Sequence, residues 1–175
     1  MKIVTVTAGH SNKDPGAING KRTEADIVTD MRNMVVSYLN KAGITTRTDG
    51  TNTTNLPLGT AIQLVKGADV AVEFHCNAGP ASARGVEALS QPKDKALSQA
   101  LCAAVNGVLG IPLRGDAGWK PENSGQHTRL GYVSAGGIIL ELFFISNNAE
   151  LALWDVKKWL VAKAVAEVLI AHVNR

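Results

Sequence analysis

Short runs of apolar, largely β-branched residues alternate along this chain with longer segments of helical periodicity. Residues 3–7 form the first run, and residues 69–75 and 138–143 form two more that are mostly apolar, as strands in the interior of a sheet are. The alternation therefore predicts an α/β fold with a largely parallel or mixed sheet.

The segments between these runs predict helices with recognisable ends. Thr23 has the side chain of an N-cap, Asp26 supports the first turn, and Gly43 ends the helix that follows. The other predicted strands lie at residues 44–47 and 85–89. The other predicted helices lie at residues 56–65, 94–109 (ending at Gly110), 149–153 and 155–173, and residues 112–137 are predicted as an extended loop. The buried face of the last helix is expected to comprise Val156, Trp159, Leu160, the Lys163 stem, Val165, Val168 and Leu169.

The composition limits the class of protein. The 175 residues suit one globular domain, with 45% hydrophobic and 19% charged residues and neither repeats nor a linker. Aromatic residues make up 5%, and no basic run is interleaved with them, so we expect no nucleic-acid partner. The net charge of +3 would suit an anionic polymer, although small soluble domains often carry such a charge.

No segment is long enough to cross a bilayer, and residues 1–7 are too short for a signal peptide, so we expect synthesis in a cytoplasm.

Side chains able to bind a metal or move a proton follow the predicted strands. In open α/β sheets ligands bind beyond the carboxyl ends of strands, where this chain has His10, His75 and Glu141. Glu24 adds a carboxylate in the first turn of the helix that follows the loop after His10. Two imidazoles and one carboxylate, with a fourth position open to water, form a known catalytic zinc shell. Their dispersed spacing is weak support when taken alone.

Each of these residues also has an ordinary structural interpretation. A histidine at a strand end is usually a hydrogen-bonded polar residue, and Glu24 suits a helix N-terminus because of the helix dipole. Glu141 is harder to explain in this way, because an unpaired carboxylate within an apolar strand is costly. Glu73 shares a strand face with His75, where it could orient the imidazole or neutralise a basic neighbour. The same alternation directs the Cys76 thiol away from a metal at His75.

Several short blocks recur in the order found in one enzyme family and span nearly the whole chain. They are Ala8-Gly9-His10, Asp14-Pro15-Gly16-Ala17, Glu24, Thr46-Arg47-Thr48-Asp49, Gly67-Ala68-Asp69, Phe74-His75-Cys76-Asn77-Ala78, Gly85-Val86-Glu87, Ile139-Leu140-Glu141 and Phe144-Ile145-Ser146-Asn147. With these blocks the sequence resembles the zinc-dependent N-acetylmuramoyl-L-alanine amidases often called amidase type 3. The stretch from Gly118 to Tyr132 is similar to phage lysins of that family.

This resemblance implies a single-domain α/β fold with a twisted mixed sheet of about six strands flanked by helices. It implies one Zn²⁺ per chain, held by His10, Glu24 and His75, with Glu141 as the catalytic carboxylate. Four further residues are candidates for supporting the metal or contacting substrate, namely Glu73, Asn77, His127 and Arg129. His127 and Arg129 could bind peptide carboxylates or stabilise an oxyanion, or they could be surface loop residues without a role.

The activity implied by the resemblance is hydrolysis of the amide between N-acetylmuramic acid and the L-alanine of the peptidoglycan stem peptide. We expect a phage endolysin, monomeric, made in the host cytoplasm and acting on the cell wall after release, with residues 1–175 as catalytic domain and no separate wall-binding domain. No stable membrane insertion is expected. The alternatives are a zinc carboxypeptidase acting on stem peptides and a non-catalytic peptidoglycan-binding module.

Overall fold

The computed structural model describes residues 2–124 and 129–175 and contains eight strands and five α-helices within those ranges. The strands are β1 (Ile3–Ala8), β2 (Ile18–Asn19), β3 (Arg22–Thr23), β4 (Thr45–Arg47), β5 (Val70–Asn77), β6 (Glu87–Ser90), β7 (Trp119–Pro121) and β8 (Ile138–Phe144). The helices are α1 (Glu24–Lys41), α2 (Leu58–Val65), α3 (Lys95–Leu109), α4 (Gly131–Ser134) and α5 (Asn148–Val173). A single 3₁₀ turn, Pro92–Asp94, precedes α3.

Six of the strands form one mixed sheet in the order β4-β1-β5-β8-β6-β7. The first four run parallel to one another, β6 is antiparallel to β8, and β7 is parallel to β6. The strands β2 and β3 form a separate small antiparallel pair ahead of α1. This arrangement confirms the predicted α/β class and the mixed sheet of about six strands.

Helices cover both faces of the sheet, which is why β5 and β8 have apolar residues on both sides. On one face α1, α3 and α5 pack over a large core that includes Val6, Phe74 and Leu140. On the other face α2 and α4 pack over a smaller cluster that includes Ala71 and Ile139. Successive residues of a strand point to opposite faces, so β5 and β8 each supply both clusters.

The ends of the two longest early helices follow the sequence signals. The Thr23 hydroxyl accepts a hydrogen bond from the Asp26 N–H and caps α1, as predicted. Gly110 adopts a left-handed conformation at the C-terminal end of α3, where a residue with a Cβ is strained. Within residues 112–137 the structure adds two short elements, β7 and α4, to what was predicted as loop.

The prediction of two closing helices is wrong, because α5 runs without a break from Asn148 to Val173. The Asn147 side chain caps its start by accepting from the N–H groups of Ala149 and Glu150. No glycine or proline interrupts the segment, and Trp154, at the proposed junction, is fully buried. Continuous packing under the sheet therefore holds the two predicted halves in one helix.

The predicted buried face of the last helix is wrong for four of its members. Val156, Trp159, Leu160 and Lys163 are exposed, whereas Val165 and Leu169 are buried as expected. The buried side of α5 instead follows Trp154, Val161, Ala162, Val165, Ala166, Leu169 and Val173. The segment has apolar residues on several sides, so its periodicity could not identify which side faces the core.

None of the helices in the described ranges combines the length and apolar character needed to cross a membrane.

Candidate active site

Pairing between three neighbouring strands brings the ionisable side chains of the site together. His75 in β5 lies opposite Glu141 in β8, and Glu141 lies opposite Glu87 in β6. Partners in register point to the same face of a sheet, so these three side chains form a row. The register between β5 and β8 shifts directly after this row, between His75 and Asn77. Such irregularities are common beside active sites, where they change the direction of a strand.

His10 follows β1 in a backbone conformation that is unusual for a residue with a side chain, with φ of 66°. A buried network holds the preceding residues in place. Asp49 accepts hydrogen bonds from the Ala8 N–H at 3.2–3.3 Å, and the Asn55 amide donates to the Ala8 and Gly9 carbonyls at 3.3 and 2.9 Å. Arg32 pairs with Asp49 at 3.1 Å and is itself fully buried. This network explains how the strained turn at His10 persists.

Glu24 is the first residue of α1 and is held by backbone groups at both of its carboxylate oxygens. Oε1 accepts from the Cys76 N–H at 2.9 Å, and Oε2 accepts from the Ala17 N–H at 3.1 Å. Burial raises the pKa of Glu24, but hydrogen bonds from His10 and His75 outweigh it and hold that pKa well below the usual range. The carboxylate is therefore ionised and fixed in orientation at neutral pH.

The two imidazoles meet at this carboxylate. Glu24 Oε2 lies 2.9 Å from His10 Nε2, and Glu24 Oε1 lies 3.0 Å from His75 Nδ1. One ligand atom from each of the three residues lies within 4.8 Å of the others. Ligand atoms about 2.0–2.2 Å from a tetrahedral zinc are roughly 3.3–3.6 Å apart, so small movements would bring all three to one ion. The donor set and its spacing fit Zn²⁺.

Two glycines leave the room that these rings occupy. A Cβ on Gly9 would overlap the His75 ring, and a Cβ on Gly16 would lie 2.6 Å from His10 Nε2 and 2.8 Å from Glu24 Oε2. Gly16 also has a φ of 65°, which favours glycine. Both positions therefore need glycine for the imidazoles and the carboxylate to converge.

Glu141 lies beside this cluster with one oxygen unsatisfied. Its Oε2 is buried and has no hydrogen-bond partner among the described residues. Burial is the main cause that raises the pKa of Glu141. His75 opposes this effect and the charges of Glu24 and Glu87 add to it, so that the pKa is about 7. A carboxyl group whose pKa lies near neutrality can both accept and return a proton at neutral pH.

Two clefts meet at the histidine rings. One has a volume of about 450 Å³, and its lining includes Glu24, Glu141 and Asn77. The other has a volume of about 340 Å³, and its lining includes Leu58 and Tyr132. Both linings include His10 and His75, so as far as residues 2–124 and 129–175 are concerned the candidate metal site adjoins two clefts.

The other predicted residues have different outcomes. Glu73 contacts His75, with 3.1 Å between Glu73 Oε1 and His75 Nε2, and within the described chain it forms no ion pair with a lysine or arginine. Arg129 is exposed, and its Nε donates to the Ser134 hydroxyl at 3.2 Å, outside both clefts. The prediction for His127 lies outside the described residues. The Cys76 side chain belongs to the large core on the opposite face, as alternation indicated.

Three contributors were not singled out from the sequence. Asp14 Oδ2 lies 3.0 Å from His10 Nδ1. The Thr7 hydroxyl donates to Glu73 Oε2, and the Tyr132 hydroxyl lies 3.0 Å from Thr7 Oγ1. The position of Asp14, four residues after His10 in a turn-rich loop, was the one available signal. Thr7 and Tyr132 are distant in sequence from His75, and only the folded sheet brings them together.

Comparison with known proteins gives a consistent identification. A protein from Neisseria meningitidis, provisionally described as an N-acetylmuramoyl-L-alanine amidase, has a structure that is 50% identical, with 99% of this chain and 96% of that chain covered and a TM-score of 0.92. The catalytic domain of an N-acetylmuramoyl-L-alanine amidase from Bacillus (Paenibacillus) polymyxa has the same fold at 24% identity, with 99% of each chain covered and a TM-score of 0.85. So does the catalytic domain of an endolysin that targets Clostridia difficile, at 18% identity with 98% of each chain covered and a TM-score of 0.78.

No curated protein matches the chain. The model of one protein family does match, with the description N-acetylmuramoyl-L-alanine amidase, over residues 4–171. The predicted enzyme class is thereby confirmed, in preference to a carboxypeptidase or a binding module. This chain belongs to the family of N-acetylmuramoyl-L-alanine amidases, whose substrate is peptidoglycan.

Proposed function

We propose that this amidase is a zinc hydrolase that cleaves the bond between the lactyl carbonyl of N-acetylmuramic acid and the L-alanine of the stem peptide. In this proposal His10, Glu24 and His75 hold one Zn²⁺, and Glu141 is the general base. The observation that carries it is the convergence of three ligand atoms within 4.8 Å, next to a buried carboxylate with an unsatisfied oxygen.

Zn²⁺ bound there would lower the pKa of its water to about 7 and polarise the scissile carbonyl. Glu141 would accept a proton from the attacking water and then deliver it to the departing amine of L-alanine. Burial raises the pKa of Glu141 in the metal-free protein to about 7, and the charge of bound Zn²⁺ would lower that pKa, so the carboxylate would be free to accept the proton near neutrality. The fixed orientation of Glu24 would keep the ligands in position during the reaction.

The two clefts support a substrate that extends in both directions from the bond to be cleaved. The glycan and the stem peptide leave the scissile amide on opposite sides, and two clefts that share His10 and His75 would give each part its own space. A site closed on one side would suit an enzyme that removes terminal residues. The open geometry therefore favours cleavage within a polymer.

Digestion of purified peptidoglycan tests the proposal. The protein should reduce the turbidity of sacculi and expose N-terminal L-alanine, and a chelator should stop both while added Zn²⁺ restores them. Glu141→Gln should lower the rate about a hundredfold to ten-thousandfold, because it removes the proton acceptor. Its zinc content should remain one ion per chain, because Glu141 is not a proposed ligand.

Glu150→Gln is a matched control, since Glu150 is a buried glutamate that accepts from the Gly85 and Phe144 N–H groups and lines neither cleft. It should retain activity. Near wild-type activity of Glu141→Gln would remove Glu141 from its proposed role. Exposure of new termini other than L-alanine would instead contradict the proposed bond.

The lytic role of a phage enzyme remains a prediction from the sequence. The fold is shared by an endolysin catalytic domain and by bacterial amidases alike, so it does not discriminate between these origins. Monomeric state and release from a host cytoplasm are predictions of the same kind.

A further inference from the structure

Each imidazole of the proposed metal site lies between two carboxylates. One nitrogen of each ring faces Glu24, and the other faces a second acid. In His10, Nε2 faces Glu24 and Nδ1 lies 3.0 Å from Asp14 Oδ2. In His75 the nitrogens are exchanged, because Nδ1 faces Glu24 and Nε2 lies 3.1 Å from Glu73 Oε1. The two histidines therefore present different nitrogens to the centre of the site.

The outer carboxylates and Glu24 together determine which nitrogen of each ring would bind a metal. Both nitrogens of each ring face a carboxylate, and an ionised carboxylate can only accept a hydrogen bond, so without a metal either nitrogen can carry the hydrogen. A divalent ion shared with Glu24 would take the place of the hydrogen on the nitrogen that faces Glu24. The nitrogen next to Asp14 or Glu73 would keep its hydrogen and donate it to that acid.

We propose that Asp14 and Glu73 are positioning residues that direct His10 to bind the metal through Nε2 and His75 to bind it through Nδ1. This inference rests on the proposed zinc site and adds the atoms that coordinate. It also assigns Glu73 to orienting the imidazole, one of the two interpretations that its sequence position allowed.

Glu73 is the stronger of the two positioning residues because its surroundings are fixed. It is 2% exposed, and its Oε2 accepts from the Thr7 hydroxyl at 3.3 Å. The Tyr132 hydroxyl lies 3.0 Å from Thr7 Oγ1, which gives Thr7 a second partner in a buried chain. The Asp14 side chain is 63% exposed, so water competes for its contact with His10.

The coordinating atoms can be observed directly with cadmium as a probe. The ¹⁵N-labelled protein loaded with ¹¹³Cd²⁺ should show one-bond coupling between the metal and Nε2 of His10 and between the metal and Nδ1 of His75. Coupling to Nε2 of His75 would overturn the proposal. Failure to bind any divalent ion would contradict the zinc site itself, so the two failures are distinguishable.

Zinc affinity, measured by competition with a chromophoric chelator, tests the residues. Glu73→Gln keeps the shape of the side chain but removes its charge, and it should weaken zinc binding about 10- to 100-fold. Asp14→Asn should weaken it by less than about fivefold, because an exposed pair contributes little. Glu150→Gln, the matched buried control, should bind zinc as tightly as the wild type.

Thr7→Val provides a second route should Glu73→Gln fail to fold. It removes the hydroxyl that donates to Glu73 and leaves the acid in place, so zinc affinity should fall less than with Glu73→Gln but more than with Glu150→Gln. Unchanged zinc affinity in both Glu73→Gln and Thr7→Val would refute the positioning role. Equal loss of affinity in Glu150→Gln would show that the effect reflects general destabilisation.

Discussion

At the scale of single residues, the site contains groups whose backbone conformation or burial lowers the stability of the folded protein. His10 adopts a left-handed backbone conformation, and Glu141 has a buried oxygen without a partner among the described residues. Strain and buried unpaired charge are tolerated at functional sites because the surrounding structure is stable enough to hold them. Here the buried Arg32–Asp49 pair, together with Asn55, supplies that support for His10.

Replacement of Glu141 should therefore increase stability while it removes activity. Burial raises the pKa of Glu141 from 4.5 to about 7, so the ionised carboxylate is penalised in the folded protein. This penalty is absent below pH 4.5, grows between the two pKa values and is fully present above about pH 7. We expect metal-free Glu141→Gln to be more stable than the wild type by about 1–3 kcal/mol at pH 8.

Urea unfolding in the presence of a chelator at pH 8 and at pH 4 would measure this difference. The two proteins should be nearly equal in stability at the lower pH. A stability gain that is the same at both pH values would show that ionisation of Glu141 is not its cause.

At the scale of elements, α5 shows how packing selects among several apolar surfaces. Val156 and Val165 are both valines of this helix, but Val156 is 67% exposed and Val165 is fully buried. The mean hydrophobic character of the segment was readable from the sequence, whereas the buried side depended on where α1 and α3 lie. The helix also begins at Asn147, whose side chain satisfies two N–H groups of the first turn.

The same substitution at these two valines should have very different effects. Val165→Ala should lower the free energy of unfolding by about 1.5–3 kcal/mol, because it removes buried methyl groups and leaves a cavity. Val156→Ala should change it by less than about 0.5 kcal/mol. Thermal or urea unfolding of the two variants measures both values. A large loss at Val156 would mean that its exposed side is covered in solution.

At the scale of the whole molecule, the proposed metal ligands come from distant parts of the chain. His10 follows β1, Glu24 begins α1, and His75 is in β5, so an ion would link the central sheet to a helix on one of its faces. A ligand that binds only the folded state stabilises it in proportion to the logarithm of its concentration relative to its dissociation constant. Metal binding should therefore be visible in global unfolding.

Chelation should lower the unfolding temperature, and added Zn²⁺ should restore it. At a free zinc concentration of about 100 times the dissociation constant the stabilisation is about 2.7 kcal/mol. For a domain of this size that corresponds to roughly 5–10 °C. Differential scanning calorimetry measures the shift. His75→Ala should unfold at the same temperature with and without chelator, and a shift retained in that variant would locate the metal elsewhere.

Much of the fold could be read from local sequence. The apolar runs gave the central strands, and Thr23 and Gly110 gave helix ends, because strand burial and capping depend on nearby residues. The rule that ligands bind beyond strand ends identified His10, His75 and Glu141 as candidates, and matching blocks along the chain added Glu24. Patterns in the sequence were enough to identify these four residues as candidates.

The tertiary structure decided what depends on distant parts of the chain meeting. It selected the buried side of α5, joined the two predicted closing helices, and left Arg129 out of the lining of both clefts. It also brought Thr7 and Tyr132 behind Glu73 and aligned each histidine so that a different nitrogen faces Glu24. Such choices depend on sheet order and register, which long-range packing fixes and which no local run of residues encodes.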